Sequence, residues 1–290
     1  MNPDGNEWGS GRIKLIIIAK LKQLFKIDTD RTQPGREQLC LRIGERHFAY
    51  SVTDLDSNSV VALAYYTSQQ VEPDGMSSIF VSTPVLTGNF ESIKVGYDHP
   101  YSVLTPVKFY DAEQSGRMLD TMFGKHEGLA LLSEQVTEWQ LRNEYAVSRE
   151  VHEWLRRKYP SATFHHNYSV GIRLPSTSSD RLLVDIHSDR FSMIAIKNNK
   201  LCIAQTFAYS TPADLLYHLL RVCEQFNLSQ REVELSIAGL IEKDSALFRE
   251  LHQYFLDIRF REPEWKFSNE NIEYPLHFFT PLNDLARCAS

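Results

Sequence analysis

The sequence is poor in cysteine and has no long hydrophobic run. Its four cysteines are scattered and form no CxxC pair, which argues against a zinc or disulfide framework and favours reduced, buried thiols. The apolar stretch nearest the N-terminus, LIIIA at 15–19, has five residues, whereas a membrane helix needs about 20. We therefore expect no membrane span, no secretory leader and a cytoplasmic location.

An excess of positive charge is also missing. Lysine and arginine total 31 against 37 aspartates and glutamates, a net charge of -6, which disfavours nucleic acid as a partner because phosphate backbones attract basic surfaces. Apolar residues make up 42% of the chain and charged residues 23%, as in globular proteins. A chain of 290 residues with this composition predicts two folded domains rather than one core.

Turn signals and apolar periodicity divide the chain into four parts. Residues 1–37 are predicted to be an N-terminal extension and linker, with a short amphipathic helix at 13–25 and a linker at 28–37. Residues 38–177 and 178–265 are predicted to be the two domains, and PSTSSD at 175–180 is the expected boundary. The aromatic segment 266–290 contains a predicted helix that docks back on the body, because its apolar residues would be costly to expose.

Each domain is predicted to open with three strands in a row. In the first domain two strands lie within 39–52 around a turn at 44–46, and a third covers 60–66. In the second, strands are expected at 182–186, 191–196 and 201–207. Further elements include a helix at 106–123, a helix at 149–158 capped by Ser148, and a helix opened by Thr211 with Asp214 in a capping box.

The two openings share a pattern of residues. The segment LRIGERHF at 41–48 aligns with VDIHSDRF at 184–191. Each has an apolar residue, a charge, an isoleucine, a turn, and a phenylalanine that opens the return strand. The order of strands in both halves therefore predicts an internal duplication.

This layout resembles the actin, sugar-kinase and Hsp70 superfamily, whose two lobes each open with such a meander and hold a nucleotide between them. Within it, the chain resembles the bacterial domain-of-unknown-function family 3822 and, more remotely, pilus-assembly actin-like scaffolds. The segments that carry the resemblance are the LRIG hairpin, TPVKF at 105–109, residues 182–207, DLLY at 214–217, Ala238-Gly239 and LNDLARC at 282–288. The resemblance implies an α/β protein with a duplicated actin-like ATPase (ribonuclease H-like) fold.

The motifs that bind nucleotide in active members of that superfamily are incomplete in this chain. Such members carry Asp-x-Gly in both first turns, where the carboxylate holds hydrated Mg²⁺ and the glycine admits a phosphate. Here Arg42 stands at the first acidic position and Gly44 remains, whereas Asp185 remains in the second turn and His187 replaces the glycine. In the later adenosine-binding segment only Gly239 of a glycine pair is kept.

Arg42 and Asp185 have two interpretations at this stage. In one, Arg42 points into the cleft and either binds an anionic ligand or pairs with Asp185 across the lobes in place of the metal. In the other, both are ordinary charges beside an exposed turn. The candidate site is thus a degenerate nucleotide or anion cleft at Arg42, Gly44, Asp185, His187 and Gly239, with no catalytic residues and no metal ligands assigned.

The resemblance and the incomplete motifs favour a non-catalytic pseudo-ATPase that serves as a binding or scaffolding module. Its expected partner is another protein, no cofactor is expected, and a homodimer is left open. The alternative is an atypical ATPase or small-molecule kinase that uses ATP with Mg²⁺ held by Asp185. The sequence alone does not decide whether the protein is an enzyme.

Overall fold

The computed structural model describes residues 21–29, 35–125, 127–176, 178–267 and 272–288. The strands are β1 Lys22–Asp28, β2 Glu37–Gly44, β3 His47–Asp54, β4 Ser59–Thr67, β5 Ser92–Asp98, β6 Ser102–Pro106, β7 Leu129–Val136, β8 Leu141–Ser148, β9 Thr163–His166, β10 Arg181–Ile186, β11 Arg190–Lys197, β12 Lys200–Ala208, β13 Glu234–Gly239 and β14 Asp257–Phe260. The α-helices are α1 Pro73–Ser82, α2 Ser115–Phe123, α3 Arg149–Lys158, α4 Asn167–Arg173, α5 Pro212–Phe226, α6 Ala246–His252 and α7 Thr280–Arg287. Short 3-10 helices lie at Pro84–Thr87, Val107–Phe109, Thr137–Trp139 and Leu276–Phe278.

Two mixed sheets share a five-strand topology, to which the first sheet adds β1. The first has the order β1-β4-β3-β2-β5-β9 and the second the order β12-β11-β10-β13-β14. In each, three antiparallel strands are followed by two parallel strands beside the first strand of the meander. The meander strands β2, β3, β10 and β11 are almost wholly buried, as expected for strands covered on both faces. The predicted α/β fold with two lobes that each open with a three-stranded meander is confirmed.

A third, antiparallel sheet is inserted into the first lobe. Its order is β6-β8-β7, and it lies in the chain between β5 and α3. Helix α2 packs on this sheet beside β6 and β8. Strand β6 is an edge strand, because it pairs only with β8 among the described residues, and a groove lined by residues of both strands lies between it and β12 of the second lobe.

The helix that follows the last strand of each sheet lies between the lobes and contacts both main sheets. Helix α7 follows β14 and contacts β2, β3 and β5 of the first sheet, while α4 follows β9 and contacts β11 and β12 of the second. The two helices also contact each other. Gly96 of β5 faces Leu285 of α7, and Gly171 of α4 faces Ile194 of β11. Helices α4 and α7 therefore lie at the interface and join the two lobes.

Two predicted helices differ from the structure. Residues 22–28, half of which were expected to belong to a helix at 13–25, form β1, which pairs antiparallel with β4; residues 13–20 lie outside the described residues. Sheet pairing overrides the helical spacing here because β4 offers an edge and the ring of Phe25 is buried against Tyr65. The helix expected at 106–123 is a 3-10 turn at Val107–Phe109 and a separate helix, α2.

The predicted N-terminal caps of two helices are confirmed. The Ser148 hydroxyl accepts from the Val151 N–H at the start of α3. Thr211 and Asp214 form the capping box of α5. Three of the four cysteines are buried and the fourth is half-buried, all as reduced thiols rather than disulfides. Among the described residues, no helix is long and apolar enough to cross a membrane.

Candidate functional site

The two first turns of the lobes have the same length. Ile43 pairs with Phe48 around the first turn, and Ile186 pairs with Phe191 around the second. Four residues lie within each turn, so the turns align position by position without a gap. Arg42 is therefore equivalent to Asp185, residue 44 to residue 187, and residue 46 to residue 189.

Arg42 and Asp185 meet across the lobes in a buried ion pair. The Arg42 Nη2 donates to Asp185 Oδ2 and also, at 2.7 Å, to Asp98 Oδ2. Arg42 and Asp185 are only 5% and 6% exposed, so they are not charges beside an exposed turn. Burial opposes the charge on Arg42, but Asp185 and then Asp98 outweigh it and raise the pKa of the guanidinium. A buried charge of this kind is stable only when it is paired.

Asp98, at the carboxyl end of β5, lies at the centre of the site and contacts three of its side chains. Its Oδ2 accepts from Arg42 and lies 2.8 Å from His187 Nε2 and 3.4 Å from His47 Nε2. Burial disfavours the carboxylate, yet Arg42 and His187 hold the pKa of Asp98 well below its usual value. Asp98 is therefore ionised in the folded protein at neutral pH.

The histidines of the site form a stack. The rings of His47 and His187 are 4.4 Å apart and nearly parallel, and Tyr65 stacks on His47 at 5.6 Å. His187 Nε2 donates to Asp98, and its Nδ1 is hydrogen-bonded to the Tyr65 hydroxyl at 3.1 Å. Burial, and next the neighbouring His187, lower the pKa of His47 well below its usual value. His47 is consequently neutral at pH 7.

Gly44 and Gly239 are enclosed by protein atoms. A Cβ on Gly44 would overlap the His47 ring, with Nδ1 at 2.5 Å and Nε2 at 2.9 Å. Gly239 has a φ of +86° at the end of β13, and a Cβ there would collide with the Ile186 carbonyl and lie 2.5 Å from Asp185 Oδ1. Both glycines thus allow close packing of the protein on itself.

A second set of ion pairs lies at the rim. Arg46 donates to Asp189 at 2.6 Å, and Arg190 donates to Glu45 at 2.5 Å. Both pairs join one lobe to the other. Arg46 and Asp189 are also equivalent positions, like Arg42 and Asp185, and again the first lobe supplies the arginine and the second the aspartate. Opposite charges at matching positions therefore pair twice across the lobes.

The site contains metal-ligand residue types but does not fit a magnesium–nucleotide complex. Donor atoms of His47, Asp98 and His187 lie within 4.8 Å of one another. However, Arg42 Nη2 lies among them, 2.7 Å from Asp98 Oδ2 and 3.4 Å from His187 Nε2. A divalent ion at this point would lie against a guanidinium, and Mg²⁺ prefers oxygen ligands to imidazole. The Arg42 guanidinium thus occupies the point where an ion would lie among these donor atoms.

The structure brings all five predicted site residues to one place, and it adds three that the sequence did not single out. Arg42, Asp185 and His187 contact one another, while Gly44 and Gly239 lie against His47 and Asp185. The added residues are His47, Tyr65 and Asp98. Asp98 had a usable signal, because a polar residue directly after a parallel strand lies at the carboxyl edge of the sheet where sites form.

The fold and this site define a class: a two-lobed protein of the actin-like ATPase fold whose lobes meet at a buried cluster of ion pairs. The chain belongs to the family described as "Protein of unknown function (DUF3822)", whose profile matches residues 27–258. No curated protein shows significant sequence similarity to it.

Solved structures share the fold at low identity. A Bacteroides thetaiotaomicron VPI-5482 protein with an actin-like ATPase fold and unknown function is 16% identical, with a TM-score of 0.66 over 78% of this chain and 91% of its own. A chain of the PilM–PilN type IV pilus biogenesis complex is 14% identical, with a TM-score of 0.63 over 87% of this chain and 98% of its own. These similarities confirm the predicted fold.

Proposed function

We propose that the protein is a non-catalytic binding or scaffolding module, a pseudo-ATPase whose lobes are held together by its own side chains. The observation that carries this proposal is the buried contact of Arg42 with Asp185 and Asp98. A guanidinium there supplies the positive charge that a bound cation supplies in a magnesium-dependent phosphoryl-transfer site. The protein needs no ligand to neutralise its two carboxylates.

The pattern of substitution supports the same conclusion. Phosphoryl transfer depends on metal ions and positioned donors that stabilise charge developing on the phosphate. In this chain the cation is part of the protein, and the second turn presents the His187 ring to Asp98. Each change removes a function of a nucleotide site and adds a contact between the lobes. The site therefore connects the two lobes, and a partner binds elsewhere on the surface.

A protein is the partner class that this proposal favours. One structure with the same fold, the PilM–PilN complex, is by its description an assembly for type IV pilus biogenesis. At 14% identity this similarity supports the fold and offers a precedent for a protein partner. It does not identify the partner of this chain.

Thermal unfolding with and without nucleotide tests the proposal. A ligand at a hundred times its dissociation constant stabilises a protein by about 2.7 kcal/mol, which is several degrees of melting temperature for a chain of this size. We expect ATP and ADP at millimolar concentration to leave the midpoint unchanged, with or without Mg²⁺. A Mg²⁺-dependent rise with ATP would favour the ATPase or kinase alternative.

Two variants locate any response that is seen. Asp185→Ala removes the carboxylate that would hold the metal, and Asp189→Asn removes a carboxylate of the rim pair that is 35% exposed. Each variant is compared with its own midpoint without ligand. A Mg²⁺-dependent rise that Asp185→Ala abolishes and Asp189→Asn retains would overturn the proposal.

A further inference from the structure

The outer edge of β12 is an open strand edge of the second sheet. No residue of β12 is fully buried, whereas β10 and β11 beside it are almost wholly buried. In the described residues β12 pairs only with β11. Residues 201–205 (LCIAQ) carry neither charge nor proline, the usual means of protecting an edge from pairing with another strand.

The first lobe shows what covers the equivalent edge. Strand β4 is the third strand of its meander, as β12 is of the other, and β1 pairs with it antiparallel along Lys22–Asp28. Under that cover β4 is buried except at its two ends. The same topological position is thus occupied by a strand in one lobe and left without one in the other.

A groove of about 480 Å³ runs along this open edge. Its walls include Leu201, Ile203 and Ala204 of β12 on one side, and Leu104, Leu141 and Met122 of the insertion on the other. The insertion is also rich in exposed apolar side chains. Five of the eleven large apolar residues that are exposed in the described chain lie between 107 and 131, with Phe109 at 70% and Met122 at 60%. Apolar surface concentrated in this way marks an interaction site.

Three lysines lie next to the groove-lining residues in the sequence. Lys108, Lys125 and Lys200 are exposed and lie within two residues of a groove-lining residue. None of the three forms an ion pair in the described part of the chain. One exposed acid, Asp120, lies as near in sequence to the lining. Although the whole chain carries a net charge of -6, these lysines favour an acidic occupant.

We infer that β12 binds an extended segment of a partner protein by antiparallel strand addition. The segment has alternating apolar residues that enter the groove and acidic residues at its ends that meet the lysines. Strand addition draws affinity from main-chain hydrogen bonds and specificity from pockets for alternate side chains. The inference rests on the proposed binding function and supplies the chemistry of its partner.

Selection from a phage-displayed library of nonapeptides tests the inference, and synthetic copies of the enriched peptides serve as probes. We expect enriched sequences to alternate apolar and polar residues between acidic ends. Hydrogen exchange with such a peptide should slow at amides of 200–208 and leave 22–28 unchanged. The double variant Lys125→Glu/Lys200→Glu should weaken binding about tenfold at low salt, which corresponds to about 1.4 kcal/mol.

The control is Lys22→Glu/Arg231→Glu, two exposed cations remote from the groove that form no ion pair within the described residues; it should bind as the unchanged protein does. The inference is overturned by basic or featureless enriched peptides, by protection outside β12 and the insertion, or by no enrichment. Concentration-dependent protection of 200–208 without peptide would assign the edge to a second copy of the chain instead. None of these outcomes touches the nucleotide test, so the pseudo-ATPase proposal stands or falls separately.

Discussion

Arg42 and Asp185 occupy equivalent positions in two equivalent hairpins, and their opposite charges let them pair. Had both positions kept an aspartate, two carboxylates would face each other beside Asp98, and only a bound cation could offset their repulsion. Replacing one acid by arginine supplies that cation from within the chain. The same exchange at Arg46 and Asp189 repeats the effect at the rim.

Gly44→Ala should destabilise the protein although the backbone there is unstrained. The new Cβ would overlap the His47 ring, which stacks on His187 and Tyr65 and has no free space to enter. Overpacking of this kind costs about 1–3 kcal/mol. Adding His47→Ala to the variant should recover part of the loss, as measured by urea unfolding.

Gly116→Ala is the control for that experiment. Gly116 lies in α2, and its Cβ would meet only Leu131 at 3.4 Å, so alanine should be neutral or stabilising there because it favours helix. Equal losses at the two glycines would contradict the assigned role of His47.

The buried histidines predict a fall in stability on mild acidification. Burial, aided by His166 and opposed in part by Glu45, lowers the pKa of His99 to about 4, and the pKa values of His47 and His166 are lowered too. Between that value and the ordinary 6.5 the unfolded chain binds more protons than the folded one. The stability that these neutral histidines contribute is therefore fully present above pH 6.5 and is lost as the pH falls toward 4.

For His99 the loss at pH 5 should be about 2 kcal/mol. Urea unfolding between pH 5 and 7.5 measures it, and His99→Leu should flatten the dependence. His252→Leu, a change at an exposed histidine, is the matched control. A free energy of unfolding that is constant over this range, or that rises on acidification, would refute the expectation.

At the scale of residues, the sequence showed which positions of a nucleotide site had changed but not what had replaced its contacts. Arg42 and Asp185 could be identified because they fall at motif positions. His47 could not, since its importance comes from the space over Gly44 and from stacking on a ring 140 positions away in the chain. Contacts between lobes depend on tertiary geometry that no local pattern encodes.

Among the elements, helices α4 and α7 form much of the packing between the two lobes. Gly171 on α4 admits the Ile194 side chain, whose Cδ1 occupies the place of a Cβ, while Cγ1 stays 3.8 Å away. Gly171→Ala should therefore destabilise by about 1–3 kcal/mol despite the better helix propensity of alanine.

The companion change Ile194→Val removes the one atom that collides. We expect Gly171→Ala/Ile194→Val to be more stable than Gly171→Ala alone, whereas Ile194→Val alone should cost about 0.5–1.5 kcal/mol as a simple loss of packing. Thermal or urea unfolding of the four proteins gives the comparison. Strict additivity of the two changes would show that the helix does not pack on β11 in this way.

Elements with local signals were predictable, and those defined by pairing were not. Capped α3 and α5 and both meanders carry their own start signals and alternation. Strand β8 was missed because its alternation, LRNEYAVS, has buried Asn143 and Glu144 in place of apolar residues. Strand β1 was mistaken for part of a helix, since only the edge of β4 determines its form.

In the whole molecule, two lobes are joined by helices α4 and α7 and by two sets of ion pairs, one buried around Asp98 and one at the rim. The buried pairs around Asp98 exclude water, so breaking one leaves an uncompensated charge that costs about 3–5 kcal/mol. The rim pairs are more exposed, and pairs of that kind contribute about 0–1 kcal/mol. We therefore predict that the buried ion pairs, rather than a ligand, hold the two lobes together.

A double-mutant cycle on Arg42→Met and Asp185→Asn measures this most directly, by the free energy of unfolding in urea. Each single variant should lose about 3–5 kcal/mol, and the double variant should lose less than the sum by about 2–3 kcal/mol. The matched cycle on Arg46→Met and Asp189→Asn should give a coupling below about 1 kcal/mol. A coupling between Arg42 and Asp185 no larger than that of the rim pair would contradict the account.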